Sequence, residues 1–117
     1  MPWYFDPQSG GNKIPVDKYE VLRTRAETFG QTRKWFPRCK LSLRFKNQFC
    51  YVDVLGQGER ASSPLARLRY FQDNEWSMAF FTWGHERYTP CVLFNGEWQG
   101  TLEQAIETCE PFLLGSL

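Results

Sequence analysis

From Lys40 to Leu55 the sequence reads KLSLRFKNQFCYVDVL, and no other stretch restricts the fold so tightly. Leu41, Leu43 and Phe45 alternate with Ser42, Arg44 and Lys46. A period of two sends successive side chains to opposite sides of an extended strand, so the stretch reads as a strand with one apolar face rather than a helix. The polar pair Asn47-Gln48 predicts a two-residue turn, although it lacks the glycine of the strongest hairpin signals. In that register Phe45 faces Cys50, Leu43 faces Val52 and Leu41 faces Val54 on a core side. Arg44 opposite Tyr51 and Ser42 opposite Asp53 fall on the other side.

A second hairpin is read from Leu65 to Trp83, LARLRYFQDNEWSMAFFTW, with Gln72-Asp73-Asn74-Glu75 as its turn. A two- or four-residue loop pairs Phe71 with Trp76, which sets Arg69 opposite Met78 and Arg67 opposite Phe80. Ala66, Leu68 and Tyr70 then share the core face with Ala79, Phe81 and Trp83, whereas a three-residue loop would mix the faces. A fifth strand, Tyr88 to Phe94, follows the polar Gly84-His85-Glu86-Arg87 connection and ends at the turn signal Asn95-Gly96.

Helical spacing flanks the strands. Val16, Tyr19, Leu22, Ala26 and Phe29 recur at three- and four-residue steps after Pro15, and Gly30 is a natural C-cap. Near the end, Thr101-Leu-Glu-Gln104 has the form of a capping box, Leu102, Ala105, Ile106 and Cys109 continue with helical spacing, and Pro111 is expected to stop the helix. Trp3, Tyr4 and Phe5 are expected to tuck onto the core, ahead of a turn at Asp6, Pro7, Ser9, Gly10 and Gly11. With 117 residues, the chain is read as a single domain, 1-117, able to build one core unaided. Its fold class is α+β: an N-terminal helix, a five-stranded largely antiparallel sheet built from hairpins, and a C-terminal helix packed on one sheet face.

Chemistry is harder to find. Gly10-Gly11-Asn12-Lys13 lacks the spacing of a phosphate loop and follows no apolar strand. Cys39, Cys50, Cys91 and Cys109 form no C-x-x-C pair and read as reduced, mostly buried thiols, so no metal or cofactor is expected. His85, the single histidine, stands beside Glu86, at most a fragment of an acid–base site. The N-terminus has no apolar h-region, and no run approaches the roughly 20 apolar residues of a membrane span. A cytoplasmic location with no membrane contact is therefore expected. A net charge of +1 gives no general reason to expect nucleic acid as a partner.

The stretches WYFDPQSGG, LRFKNQFCYVDV, LARLRYF, WSMAFFTW and YTPCVLFNGEWQGTLEQA, in this order, resemble a family of small uncharacterised bacterial proteins. Its members read W-Y-F-D-P-x-S-G-G, R-F-x-x-Q-F-C-Y-I-D, R-L-R-Y-F and G-T-P-E-E-A. The resemblance runs over nearly the whole chain and implies a compact single domain, but no activity, substrate or catalytic residue. Leu102 stands where that pattern often has proline.

One surface remains. By the registers above, the sheet face away from the helices carries Arg44, Phe49, Tyr51, Asp53, Arg67, Arg69, Phe71, Trp76, Met78 and Phe80. Such a face can be covered by the N-terminal segment with Asp53 pairing the arginines, can meet another protein, or can hold a planar or anionic small ligand. The chain is accordingly read as a non-enzymatic binding or interaction module that uses this arginine–aromatic face through self-association as a homodimer. Tyr51, Asp53, Arg67, Arg69 and Trp76 are the binding residues, and none is catalytic. The alternative is a small-ligand-binding protein or enzyme with a pocket near His85 and Glu86.

Overall fold

The structure, a computed structural model, describes residues 9–114. The expected packing of Trp3, Tyr4 and Phe5, and the turn residues Asp6 and Pro7, lie outside the described residues. A single 3-10 turn, Val16–Lys18, leads into α1, Tyr19–Gly30. Five strands follow: β1 Cys39–Lys46, β2 Phe49–Gly56, β3 Ser63–Gln72, β4 Glu75–Thr82 and β5 Arg87–Cys91. Helix α2, Leu102–Leu114, closes the chain. The strands form one antiparallel meander in the order β1-β2-β3-β4-β5. Helix α1 packs on β1 and α2, while α2 packs on β3 and β4, giving the α+β architecture expected from the sequence.

The first hairpin has the expected register pair for pair, from Leu41 opposite Val54 to Phe45 opposite Cys50. Asn47 carries the turn with a φ of 55°, a left-handed conformation that a short polar side chain tolerates. Leu43, Cys50, Val52, Ala66 and Leu68 then face Leu22 and Ala26 of α1 and Leu102, Ala105, Ile106 and Cys109 of α2 in one continuous core. The capping box forms as read: the Gln104 N–H donates to Thr101 Oγ1 at 3.1 Å, and the Thr101 N–H donates to Gln104 Oε1 at 2.9 Å.

The second hairpin corrects the expected faces. Gln72 pairs with Glu75, but Tyr70 pairs with Trp76, so Phe71 is the extra residue of a β-bulge. One extra residue turns every later β4 side chain to the opposite side relative to β3. Trp76, Met78 and Phe80 therefore join Tyr70, Leu68 and Ala66 on the core face, and Ser77, Ala79 and Phe81 lie beside Arg69 and Arg67. The cause is visible in the packing: Tyr70 and Trp76 are both buried, with ring centroids 4.9 Å apart, and burying two large aromatics outweighs an uninterrupted ladder. Asn12 secures the bulge, because its backbone N–H donates to the Tyr70 carbonyl at 2.7 Å and its side chain donates to the Phe71 carbonyl.

Three smaller expectations change as well. Gly30 is the last residue of α1 and is followed by a right-handed Gln31, so it is no left-handed cap. Its role is close approach: a Cβ there would lie 3.0 Å from the ring of buried Trp35. Pro111 does not stop α2, which continues to Leu114, because buried Leu113 and the contact of Phe112 with Phe80 (4.5 Å) hold the last turn in place. Strand β5 ends at Cys91 rather than Phe94, and Val16 is exposed in the 3-10 turn instead of facing the core.

Candidate functional site

On the side of the sheet away from the helices, the registers align Arg44, Tyr51, Arg67, Ala79 and Pro90 in one row across the strands. Lys46, Phe49, Arg69 and Ser77 form the next. Cations and rings thus alternate from strand to strand. The Arg44 guanidinium lies over Tyr51 at 4.9 Å, Arg67 over Phe49 at 4.4 Å and Tyr88 at 5.3 Å, and Arg69 over Phe49 at 4.8 Å. Each stem covers apolar surface while its head keeps a favourable electrostatic partner in a ring face.

The face is concave. Tyr51 belongs to β2 and Tyr88 to β5, yet their rings meet with centroids 5.6 Å apart, and Tyr88 also meets Phe81 of β4 at 5.2 Å. Small side chains at Ser77 and Ala79, both buried, leave room for the sheet to curl toward this side. Burial raises the Tyr88 phenol above its ordinary range, and the Asp53 charge adds to that, while Arg44 and Arg67 act in the opposite direction.

The charged groups divide by their partners. Asp53, 5% exposed, accepts hydrogen bonds from Arg44 Nε at 2.5 Å and Nη2 at 3.3 Å, which raises the Arg44 guanidinium further above its usual range. Asp53 therefore pairs with Arg44 and not with Arg67 or Arg69. Arg69, 7% exposed, donates from Nη1 to the Gly10 carbonyl at 2.8 Å. The chain from Gly10 to Asn12 runs against it, and Gly11 makes this possible: a Cβ at that position would lie 2.9 Å from Arg69 Cγ and 3.0 Å from the Tyr70 carbonyl oxygen. Arg67 differs from both, since its guanidinium has neither an ion pair nor a hydrogen bond among the described residues.

Tyr51, Asp53, Arg67 and Arg69 are thus brought to one face as the sequence implied, and Trp76 is not. Trp76 is 1% exposed on the opposite side, where its indole N–H finds no hydrogen-bond acceptor among the described residues. His85 and Glu86 lie in the exposed turn between β4 and β5, with Glu86 at a φ of 53°. Only Glu86 borders a depression, of about 520 Å³, and its other walls are Arg67, Arg87, Tyr88, Thr89 and Pro90. The two surfaces that the sequence suggested as alternatives meet at this point. Arg44 and Phe49 stand on the face read from the sequence but not among its five named binding residues, and Tyr88 was not placed on that face at all. Arg44 was legible, because a long side chain reaches the residue diagonal to it and the hairpin register sets Asp53 there.

The thiols stand apart from this face in reactivity. Burial raises Cys39, pushes Cys50 up to about 12 and Cys91 up to about 11, and raises Cys109 as well. Among the described residues no helix is long and apolar enough to cross a membrane. Compared with known proteins, the chain matches no family model, no curated protein and no solved structure. The resemblance to small bacterial proteins rests on its motifs alone.

Proposed function

We propose that the protein is a non-enzymatic binding module that self-associates through the Arg67 side of its arginine–aromatic face. The observation that carries this reading is the depression that holds both Arg67 and Glu86, neither of them ion-paired among the described residues. A two-fold contact applies a patch to its own copy, so that residue i meets j while j meets i. A patch that sets the uncommitted cations Arg67 and Arg87 beside the uncommitted anion Glu86 can pair with its own copy. Stacking on Phe49 and Tyr88 restrains the Arg67 guanidinium before contact, which lowers the entropy lost when a carboxylate from the second copy arrives. A net charge of +1 puts little long-range repulsion between copies.

Moving Trp76, Met78 and Phe80 to the core leaves this face less apolar than the sequence suggested, so association would lean on charge pairing and weaken with salt. The test is solution mass by light scattering across concentration and ionic strength. Each substitution acts twice in a two-fold contact, so Glu86→Arg and Arg67→Glu are each expected to weaken the dimer by about 1–3 kcal/mol per altered pair, with the double exchange restoring it. A monomer at every concentration in low salt, or a dimer indifferent to Glu86→Arg, would refute the proposal.

A further inference from the structure

A second site opens at the end of the sheet that carries the β4–β5 turn, where the two hairpins part, and shares no lining residue with the Glu86 depression. The pairing of β3 with β4 ends at Ala66 and Phe80. Beyond it Ser63 and Pro64 stay with β2, opposite Val54 and Asp53, while Phe81 and Thr82 stay with β5, opposite Tyr88 and Arg87. The gap is a cavity of about 880 Å³, within the size range of small-molecule sites. Phe80 and Phe81, the last paired residue of β4 on the β3 side and its neighbour, both border it. Trp83 and Phe112, 64% and 55% exposed, stand along its opening. Large aromatics left this exposed around a cavity signal a place for an apolar group.

Two charged side chains line the cavity, and their commitments differ. Glu59 Oε1 accepts the Gly56 N–H at 2.7 Å and so belongs to the turn that ends β2. Arg38 has no ion-pair partner among the described residues. We infer that this gap binds a medium-chain carboxylate, its apolar body among Leu65, Phe80, Trp83 and Phe112 and its carboxylate on the Arg38 guanidinium. Arginine suits that role because its planar fork matches a carboxylate in two parallel hydrogen bonds. Cys39 at the cavity wall takes no part, since burial holds its thiol protonated.

The probes are octanoate and, as the uncharged comparison, 1-octanol, titrated into the full chain and followed by amide NMR. Octanoate is expected to produce saturable shifts in the 63–65 backbone and in the Trp83 indole N–H, which Trp83→Phe identifies. Arg38→Gln is expected to weaken octanoate about tenfold, the scale of one charge-assisted interaction, and to leave octanol unchanged. Phe112→Ala is expected to weaken both. Octanoate shifts that do not saturate, that fall elsewhere, or that ignore Arg38→Gln would overturn the inference. An Arg67→Glu variant should bind octanoate as the parent does, so this site and the proposed self-association fail or survive separately.

Discussion

Glu110 offers the sharpest energetic test of how the helices are held together. Its carboxylate accepts from Arg33 Nε at 2.6 Å, from Arg33 Nη2 at 2.7 Å and from Trp35 Nε1 at 2.9 Å, joining α2 to the segment after α1. Glu110→Ala removes all three. The ion pair is partly solvent-screened, with side chains 31% and 15% exposed, so its share is about 0.5–1 kcal/mol. The larger share comes from Trp35, whose ring is buried and whose N–H would be stranded, at about 1–3 kcal/mol. A total loss of about 1.5–4 kcal/mol is expected, against about 1 kcal/mol for Glu110→Gln, which keeps an acceptor for the indole. Arg33's hydrogen bonds hold the Glu110 carboxyl below its ordinary range, against burial and with help from Trp35. A group depressed in this way stabilises the fold above its unfolded value of about 4.3 and loses that contribution as pH falls through the lower folded value. Urea unfolding at pH 7 and across pH 2–5 reads both effects, with an unchanged slope confirming that only stability has moved. Equal losses for alanine and glutamine, or an acid-limb profile that Glu110→Gln fails to flatten, would refute the reasoning.

Two further expectations concern the core. Gly30→Ala should lose about 1 kcal/mol net despite the better helix propensity of alanine, since its Cβ would press on a Trp35 ring with little room to yield, and melting a few degrees lower would show it. The thiols of Cys39, Cys50 and Cys109 should react with Ellman's reagent at pH 8 only as the chain unfolds, and half-buried Cys91 slowly before that; rapid labelling of Cys50 in the folded protein would contradict its burial.

What the sequence disclosed depended on how local the deciding interaction is. The first hairpin and the capping box are settled between residues a few positions apart, and both were legible to the individual pair. The second hairpin has an equally clear alternation on each arm, yet its relative phase hangs on the bulge at Phe71. That bulge is fixed by Asn12, far away along the chain, and by the mutual packing of Tyr70 and Trp76. Gly30 looked like a cap because a helix ended there; Trp35 was the reason, and only tertiary structure brings its ring to that spot. Tyr88 is not legible at this site from sequence, because its approach to Tyr51 depends on small residues of β4 whose facing is set by the bulge at Phe71.

Arg67 and Arg69 sit two residues apart on the same face of one strand, share the ring of Phe49, and nevertheless have different fates. The difference comes from what reaches each head. Gly11 lacks the side chain that would keep the Gly10–Asn12 backbone off β3, so Gly10 delivers a carbonyl to Arg69, whose guanidinium is buried. An arginine enclosed in this way belongs to the fold, because exposing or removing it strands a partner inside the protein. Arg67 faces the depression beside Glu86 instead, held by rings that restrain the guanidinium without consuming its hydrogen bonds. Of the charges on this face, Asp53 and Arg44 satisfy each other, Arg69 is covered and Lys46 stands on the edge strand β1, so Arg67 is the ring-restrained cation beside Glu86 with recognition capacity in reserve. For that reason the proposed contact is placed at the Arg67 end of the face, and not across its whole width.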